Sequence, residues 1–461
     1  MRVLLLAAGA TFLAMLDATV ANLAVADLGA DFASASITDL SWVVSAYAIA
    51  FAALLTPAGR LAGVLGPRRL FAGGVALFTL MSLACAAAPG LGFLIGARAL
   101  QGAGAAAMIP ASLAVLLLAA PPERRAGAIG LWSASAALAA AAGPSIGGLL
   151  VDGFGWRAVF VSNVPLGIAL VVAARALLPA GGGAGGRLPD LLGTALLAAG
   201  VGGVVLGLTE AGTWGWGDAR TVVALAGGAA AVAFALRRST RHPAPAVETS
   251  LWRSRTFAVA NVASLLYGLA LYPWLLLGVL VLTQGWGYSV LDAGLAMSPG
   301  AVAAAAAAVV SGRLTARVGV RPVVAGGGLV LAAAGLWAAL ALPHEPDFLG
   351  FWLPVGTVIG VGMGMLTTGT STAAALAVAP TRFAAATGMN TTARQVGGAL
   401  GIAALALVLS ATAGFDGFER AYLFCTVAAL ASALAGLALH GRPASARASA
   451  PAATVVPEGS L

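Results

Sequence analysis

Reading from Met1, the chain breaks into fourteen apolar runs bounded by charges, Pro and Gly, near residues 3–26, 41–62, 70–88, 91–116, 126–150, 157–178, 191–209, 220–236, 256–282, 293–312, 322–342, 349–373, 383–410 and 418–440. About 20 mostly apolar residues suffice for a helix to cross the hydrocarbon core of a bilayer. Inside that core every backbone polar group must be satisfied within its own segment, so runs of this length are expected to be helices. The chain therefore reads as an all-α integral membrane protein with fourteen transmembrane helices. Its composition leaves little room for a soluble domain: 60% of the residues are hydrophobic and 9% charged, against roughly 45–50% apolar and 25% charged in soluble proteins.

Residue types exclude several chemistries. All 24 basic residues are Arg, so neither a Walker-type phosphate loop nor a Schiff-base lysine can be built. Cys85 and Cys425 lie in distant apolar runs, and His242, His344 and His440 are scattered through polar stretches. No disulfide framework, metal site or other cofactor is expected, and the chain does not read as an enzyme. The net charge of +8 comes from arginines spread between apolar runs, which speaks for topology and against nucleic-acid binding.

With a cytoplasmic amino terminus and fourteen crossings, 19 Arg fall in cytoplasmic segments and three in outer ones, Arg157, Arg220 and Arg420. Eleven acids, Glu210 among them, fall outside and four inside. Arginine bias is the determinant of orientation, so both termini are expected in the cytoplasm of an inner (cytoplasmic) membrane. Met1-Arg2 and Ala24-Val25-Ala26 imitate a cleavable signal peptide. Asp17 interrupts that run and its removal would invert the topology, so the first run is read as retained.

Two Arg-rich loops repeat. Residues 59–69 read GRLAGVLGPRR and residues 312–322 read GRLTARVGVRP, with Gly59, Arg60, Gly66 and Arg68 matched by Gly312, Arg313, Gly319 and Arg321. A repeat of this kind marks a transporter of two pseudo-symmetric halves. Residues 1–178 are read as the first six-helix bundle and 256–441 as the second. Residues 179–255 form a linker carrying two additional helices, flanked by flexible 179–187 and Pro-rich 237–246, and residues 442–461 a disordered tail.

Six motifs occur in order: Leu16-Asp17-Ala18-Thr19-Val20-Ala21-Asn22 on the first run; Gly59 to Arg69 after the second; Arg98, Gln101, Gly102 and Gly104 on the fourth; Gly143-Pro144-Ser145-Ile146-Gly147-Gly148 on the fifth; Trp156-Arg157 with Phe160, Asn163, Pro165 and Gly167 on the sixth; and Asn390, Thr392, Arg394, Gln395, Gly397, Gly398 and Gly401 on the thirteenth. Together they resemble the major facilitator superfamily, and within it the fourteen-helix drug:proton antiporters of multidrug and antibiotic efflux. The resemblance covers residues 1–441. It implies the major facilitator fold, proton coupling through Arg98 and its helix, an exporter motif at Gly143, Pro144, Gly147 and Gly148, and conformational roles for Gly59, Arg60, Gly66, Arg68 and Arg69 with their copies Gly312, Arg313 and Gly319. The family's loop Asp is replaced by Gly63, and by Ala316 in the second copy, so the charge latch it makes in relatives is not expected at that position.

The residues also argue independently. Asp17, Arg98 and Arg394 lie well inside apolar runs, where a charge costs about 2.5–3.5 kcal/mol and marks function by default. Asp17 is the only acid deep in a run, so a carboxylate-based proton mechanism has one candidate, the alternative being a structural hydrogen bond. Arg98 cannot deprotonate and serves as a fixed charge or donor, either toward Asp17 or toward backbone carbonyls. Ala139, Gly143 and Gly147 share a helix face that admits a close neighbour, and Pro144 removes a backbone bond. Asn22, Tyr47, Gln101, Trp132, Tyr267, Tyr272, Trp274, Thr367, Asn390 and Arg394 are the candidates for substrate contacts, with packing as the competing reading for the aromatic and polar ones. The expected protein is a monomeric antiporter exchanging protons for a small, mostly apolar molecule. A facilitator-fold importer or uniporter of a nutrient is the alternative.

Overall fold

A computed structural model describes residues 1–32, 34–178, 188–412 and 414–440, without the side chains of 22–26 and 37. The linker at 179–187 and the tail beyond 440 lie outside the described residues. Fourteen long helices appear among the described residues: α1 (Arg2–Asp31), α2 (Ile37–Leu65), α3 (Pro67–Ala86), α4 (Leu91–Ala119), α5 (Arg125–Phe154), α6 (Trp156–Leu177), α7 (Leu191–Trp214), α8 (Ala219–Ser239), α9 (Arg255–Leu280), α10 (Val290–Val318), α11 (Val320–Ala341), α12 (Leu353–Leu376), α13 (Phe383–Ala411) and α14 (Gly414–Leu437). Each is long and apolar enough to span a membrane. Fourteen crossings bring Met1 and His440 to one side, here termed the terminal face; the opposite side is the far face.

Helix ends follow local chemistry. Ser36 caps α2 in a capping box with Asp39, and Ser289 caps α10. The two Arg-rich repeats turn α2 into α3 and α10 into α11 through Gly66 (φ 92°) and Gly319 (φ 87°). That left-handed conformation is one a β-carbon disfavours, which accounts for Gly at the same offset of both copies.

Helices α1–α6 pack as one bundle and α9–α14 as a second. The additional pair α7–α8 packs together, with α7 against α2 and α13. The bundles meet along α5 and α10, and where α13 crosses α2 and α4. Glycines open these crossings: a β-carbon on Gly59 would lie 2.5 Å from the Ala384 carbonyl oxygen, and one on Gly130 2.6 Å from that of Ala308. Gly59 and its repeat Gly312 thus perform matching tasks, the first seating α2 on α13 and the second seating α10 on α5.

One expectation needs correction. Glu210, read as lying in an outer segment, belongs to α7 and is buried. The apolar run stops at Thr209, but nothing in Glu210-Ala211-Gly212-Thr213-Trp214 breaks a helix, and α7 ends only at Gly215 (φ 95°). Asp17 is therefore the acid at mid-helix rather than the only buried one in a span.

Candidate functional site

Asp17 sits midway along α1 and is 1% exposed, and Arg98 on α4 is wholly buried. Arg98 Nη1 donates to Asp17 Oδ2 at 2.7 Å, while Asp17 Oδ1 accepts from Gln101 Nε2 at 3.0 Å and from Asn163 Nδ2 at 2.7 Å. Arg98 and Gln101 are three residues apart on α4 and so address one carboxylate from the same helix face. Asn163 belongs to α6, and its amide also donates to Ser82 Oγ on α3 at 3.0 Å.

Arg98 is held independently of Asp17. Its Nε donates to the Val43 carbonyl at 3.0 Å, its Nη1 also donates to Gln101 Oε1 at 2.6 Å, and its guanidinium lies 4.3 Å from the Tyr47 ring centroid and 5.5 Å from that of Phe160. Its Nη2 is buried with no hydrogen-bond partner among the described residues. A fixed cation thus anchors on α2, α4 and α6, and α1 reaches it through one carboxylate. In low dielectric a buried carboxylate is costly unless its remaining lone pairs are satisfied, which the two amides accomplish for Asp17.

Asn163 and Ser82 were not singled out for this site by sequence reasoning. Thr79, Ser82 and Cys85 recur every third residue on α3 and are all buried. That polar stripe within an apolar run was the available signal.

A second polar group lies in the other bundle. Arg394 on α13 has Nη1 buried without a hydrogen-bond partner among the described residues. Tyr272 donates to its neighbour Gln395, and the Tyr267 hydroxyl bonds Thr367 Oγ1 at 2.8 Å and the Met363 carbonyl at 3.1 Å. Asn390 donates to Ser264 at 2.8 Å, joining α13 to α9.

The remaining candidates are distributed. Tyr47 and Gln101 belong to the Asp17 cluster. Trp132 donates to Ser112 at 3.0 Å within the first bundle, and Trp274 packs edge-on against Tyr422 at 5.6 Å in the second. The Asn22 side chain lies outside the described residues. In the fifth-helix motif, a β-carbon on Gly143 would overlap Thr19 of α1, Pro144 seats against Gly294 of α10, Gly147 is buried, and Gly148 lies beside Leu291. Arg68 donates to the Arg175 carbonyl at 2.8 Å, whereas Arg69 and Arg313 are exposed. Among the described residues no group of three His, Cys, Asp or Glu is placed to hold a metal ion.

The terminal face is closed. There the Thr56 and Thr392 hydroxyls bond at 2.8 Å across α2 and α13, Gly388 abuts the Leu55 carbonyl, and Arg125 lies 5.2 Å from the Phe383 ring centroid.

The family model described as Major Facilitator Superfamily matches residues 7–282 and 256–458. "Multidrug resistance protein Stp" of Mycobacterium tuberculosis is 34% identical over 403 residues, covering 87% of this chain and 74% of the relative. "Cephamycin export protein CmcT" of Amycolatopsis lactamdurans is 37% identical over 420 residues, covering 89% and 85%. Among solved structures, the human organic anion transporter MFSD10 superposes with a TM-score of 0.66 at 14% identity, covering 95% of this chain and 99% of that one. The proton:xylose symporter XylE gives 0.64 at 13% identity, with 94% of each chain covered. These last two establish the fold alone.

Proposed function

The chain belongs to the major facilitator superfamily, and from that premise we propose that it exports small, mostly apolar molecules across the cytoplasmic membrane in exchange for protons. The terminal face is cytoplasmic, and the two bundles rock about a central site to give alternating access. The protein acts as a monomeric transporter and catalyses no covalent chemistry. Relatives named for multidrug resistance and for cephamycin export support the outward direction and antibiotic-like cargo.

The observation carrying the proton assignment is the buried Asp17 carboxylate with its three donors. Protonation removes the charge that Arg98 answers and turns one acceptor oxygen into a donor facing other donors. The Arg98 anchor persists through Val43, Gln101 and Tyr47. The element released is therefore α1. Proton and cargo then act by preferring different access states, which is what coupling requires. Each inward proton supplies about 2.3 kcal/mol per 100 mV and about 1.36 kcal/mol per pH unit. Arg394, with Tyr267, Thr367, Tyr272 and Gln395, offers the cargo a cation and hydroxyl and amide groups in the opposite bundle.

The test is proton movement in inverted, energised vesicles carrying the intact protein or Asp17→Asn, challenged with a panel of drugs and metabolites. Compound-triggered proton release that Asp17→Asn abolishes is the expected result. Labelled compound equilibrating through both proteins without proton movement would leave a facilitator with a structural Asp17.

A further inference from the structure

The segment that follows the additional helix pair carries one carboxylate to the closed crossing between the bundles. Glu248 Oε1 lies 3.2 Å from Arg60 Nη1 at the end of α2, and its Oε2 lies 3.1 Å from Arg382 Nε at the start of α13. Arg60 Nε also donates to the Pro245 carbonyl at 3.3 Å, and Arg382 Nη1 to Ser250 Oγ at 3.2 Å. One short stretch therefore grips an arginine from each bundle, beside the place where Gly59 rests on Ala384. The carboxylate is 13% exposed and Arg60 19%, whereas Arg382 is 44% exposed, so the pairing with Arg60 is the less screened of the two.

Among the described residues of this face, no other acid is ion-paired to both bundles. Asp190 is taken by Arg238, and Glu123 forms no ion pair among the described residues. The segment itself is held in place. The Asp190 amide donates to the Ala244 carbonyl at 2.8 Å, the Val247 amide to Ser239 Oγ at 3.3 Å, and Ala246, Val247 and Leu251 are buried. Asp190 opens α7 and Ser239 closes α8, so both ends of the added pair brace the loop that presents Glu248. On α2 itself, the repeat loop contributes no carboxylate: a β-carbon on Gly63 would stand 3.6 Å from Arg60 Nη1 and 3.9 Å from the Thr381 carbonyl, in ordinary contact without a clash.

We propose that Glu248 is the positioning residue that holds the terminal face closed, and that the additional helix pair serves the transport cycle by delivering this carboxylate between Arg60 and Arg382. Opening the face separates α2 from α13, so the two arginines part and Glu248 can keep one of them at most. The latch thus weights the equilibrium toward the closed face, whatever is transported. The proposal rests on the alternating-access reading only for its role in the cycle; the clamp itself is a property of the protein without cargo.

The full-length chain in lipid nanodiscs, spin-labelled at Glu123→Cys and Ala379→Cys on the terminal face, reports the separation of the bundles by electron-electron distance measurement. Cys85 and Cys425 are buried and leave the introduced sites to the label. Glu248→Gln is expected to raise the long-distance, open population about three- to ten-fold. Gly63→Asp added to Glu248→Gln should return it toward the starting value, because position 63 can place a carboxylate beside Arg60. Rescue also establishes that Glu248→Gln remains folded. Distance distributions identical in the intact protein and Glu248→Gln overturn the proposal, as does an open population that Gly63→Asp leaves raised. Failure of the efflux reading would instead appear in the vesicle assay, with the distance shift unaffected.

Discussion

Removing both charges of the Asp17–Arg98 pair should cost clearly less than the sum of removing each alone. In Asp17→Asn the new amide must turn its NH2 either toward Arg98 Nη1 or toward the two donors Gln101 Nε2 and Asn163 Nδ2. Gln101 cannot turn to accept, because its Oε1 already takes Arg98 Nη1 at 2.6 Å. A donor-to-donor contact and an uncompensated buried guanidinium follow, at about 3–5 kcal/mol for breaking a buried pair from one side. Arg98→Gln leaves a buried carboxylate that still has two amide donors and can neutralise itself by protonation, so about 2–4 kcal/mol is expected. The double variant contains neither charge, and its cost should fall about 2–3 kcal/mol short of the summed singles. Unfolding of the purified chain in mixed micelles, followed by circular dichroism across a detergent titration, measures all four corners of the cycle. Additivity within about 0.5 kcal/mol would refute the argument, because it would mean that the two groups do not depend on each other.

Other consequences follow from packing and charge. A β-carbon from Gly102→Ala would overlap the Tyr47 carbonyl and push α2 off α4, costing about 1–3 kcal/mol. Gly73→Ala on α3 meets nothing within 4 Å and should be neutral or stabilise by up to about 1 kcal/mol in the same unfolding assay. Hydrogen bonding from Arg238 holds Asp190 below its ordinary 3.8. A depressed carboxylate contributes stability that is present above its unfolded pKa and lost as pH falls through the folded one. Asp190→Asn should accordingly lower the unfolding midpoint from pH 5 to 8, with the difference from the intact protein vanishing only below the usual carboxylate range. Gly294→Ala would press on Pro144 and part α10 from α5. It is expected to move the pH of half-maximal cargo-triggered proton release by about 0.5 unit, about 0.7 kcal/mol, and an unchanged midpoint would disconnect the two helices from the proton site.

The helix number and the two six-helix bundles were legible because bilayer thickness imposes a length on every apolar run, and because the Gly-Arg-Leu repeat betrays the halves. Helix ends were less legible: α7 outruns its apolar stretch through Glu210, since hydropathy reports composition while a helix stops only at a breaker such as Gly215. At the Asp17 cluster, the buried charges announced themselves by cost. Ser82 did not, because a hydroxyl can satisfy itself on its own helix and so raises no alarm in an apolar run. Glu248 was invisible for another reason. Its partners Arg60 and Arg382 are 188 and 134 residues away in the sequence, and nothing local distinguishes it from a solvated loop acid.

Asp17 is joined to the second bundle by an unbroken line of contact, and the line explains why the fifth helix carries glycine and proline together. Two residues after Asp17, Thr19 turns its hydroxyl to the Met15 and Leu16 carbonyls at 3.0 and 2.9 Å and lays its side chain over Gly143. Only a residue without a β-carbon lets α1 approach α5 this closely. The next residue, Pro144, faces the other way and rests on Gly294 of α10, while Ser298 one turn on donates to the Ala141 carbonyl at 3.3 Å. The α5 helix is therefore wedged between the helix that holds the titratable carboxylate and a helix of the other bundle. Proline at the contact leaves one carbonyl of α5 without its intrahelical partner, so bending is cheapest at that point. Close packing makes the arrangement resist small continuous adjustment. On the proposed mechanism, a shift of α1 on protonation of Asp17 would be met by a shift of α5 against α10.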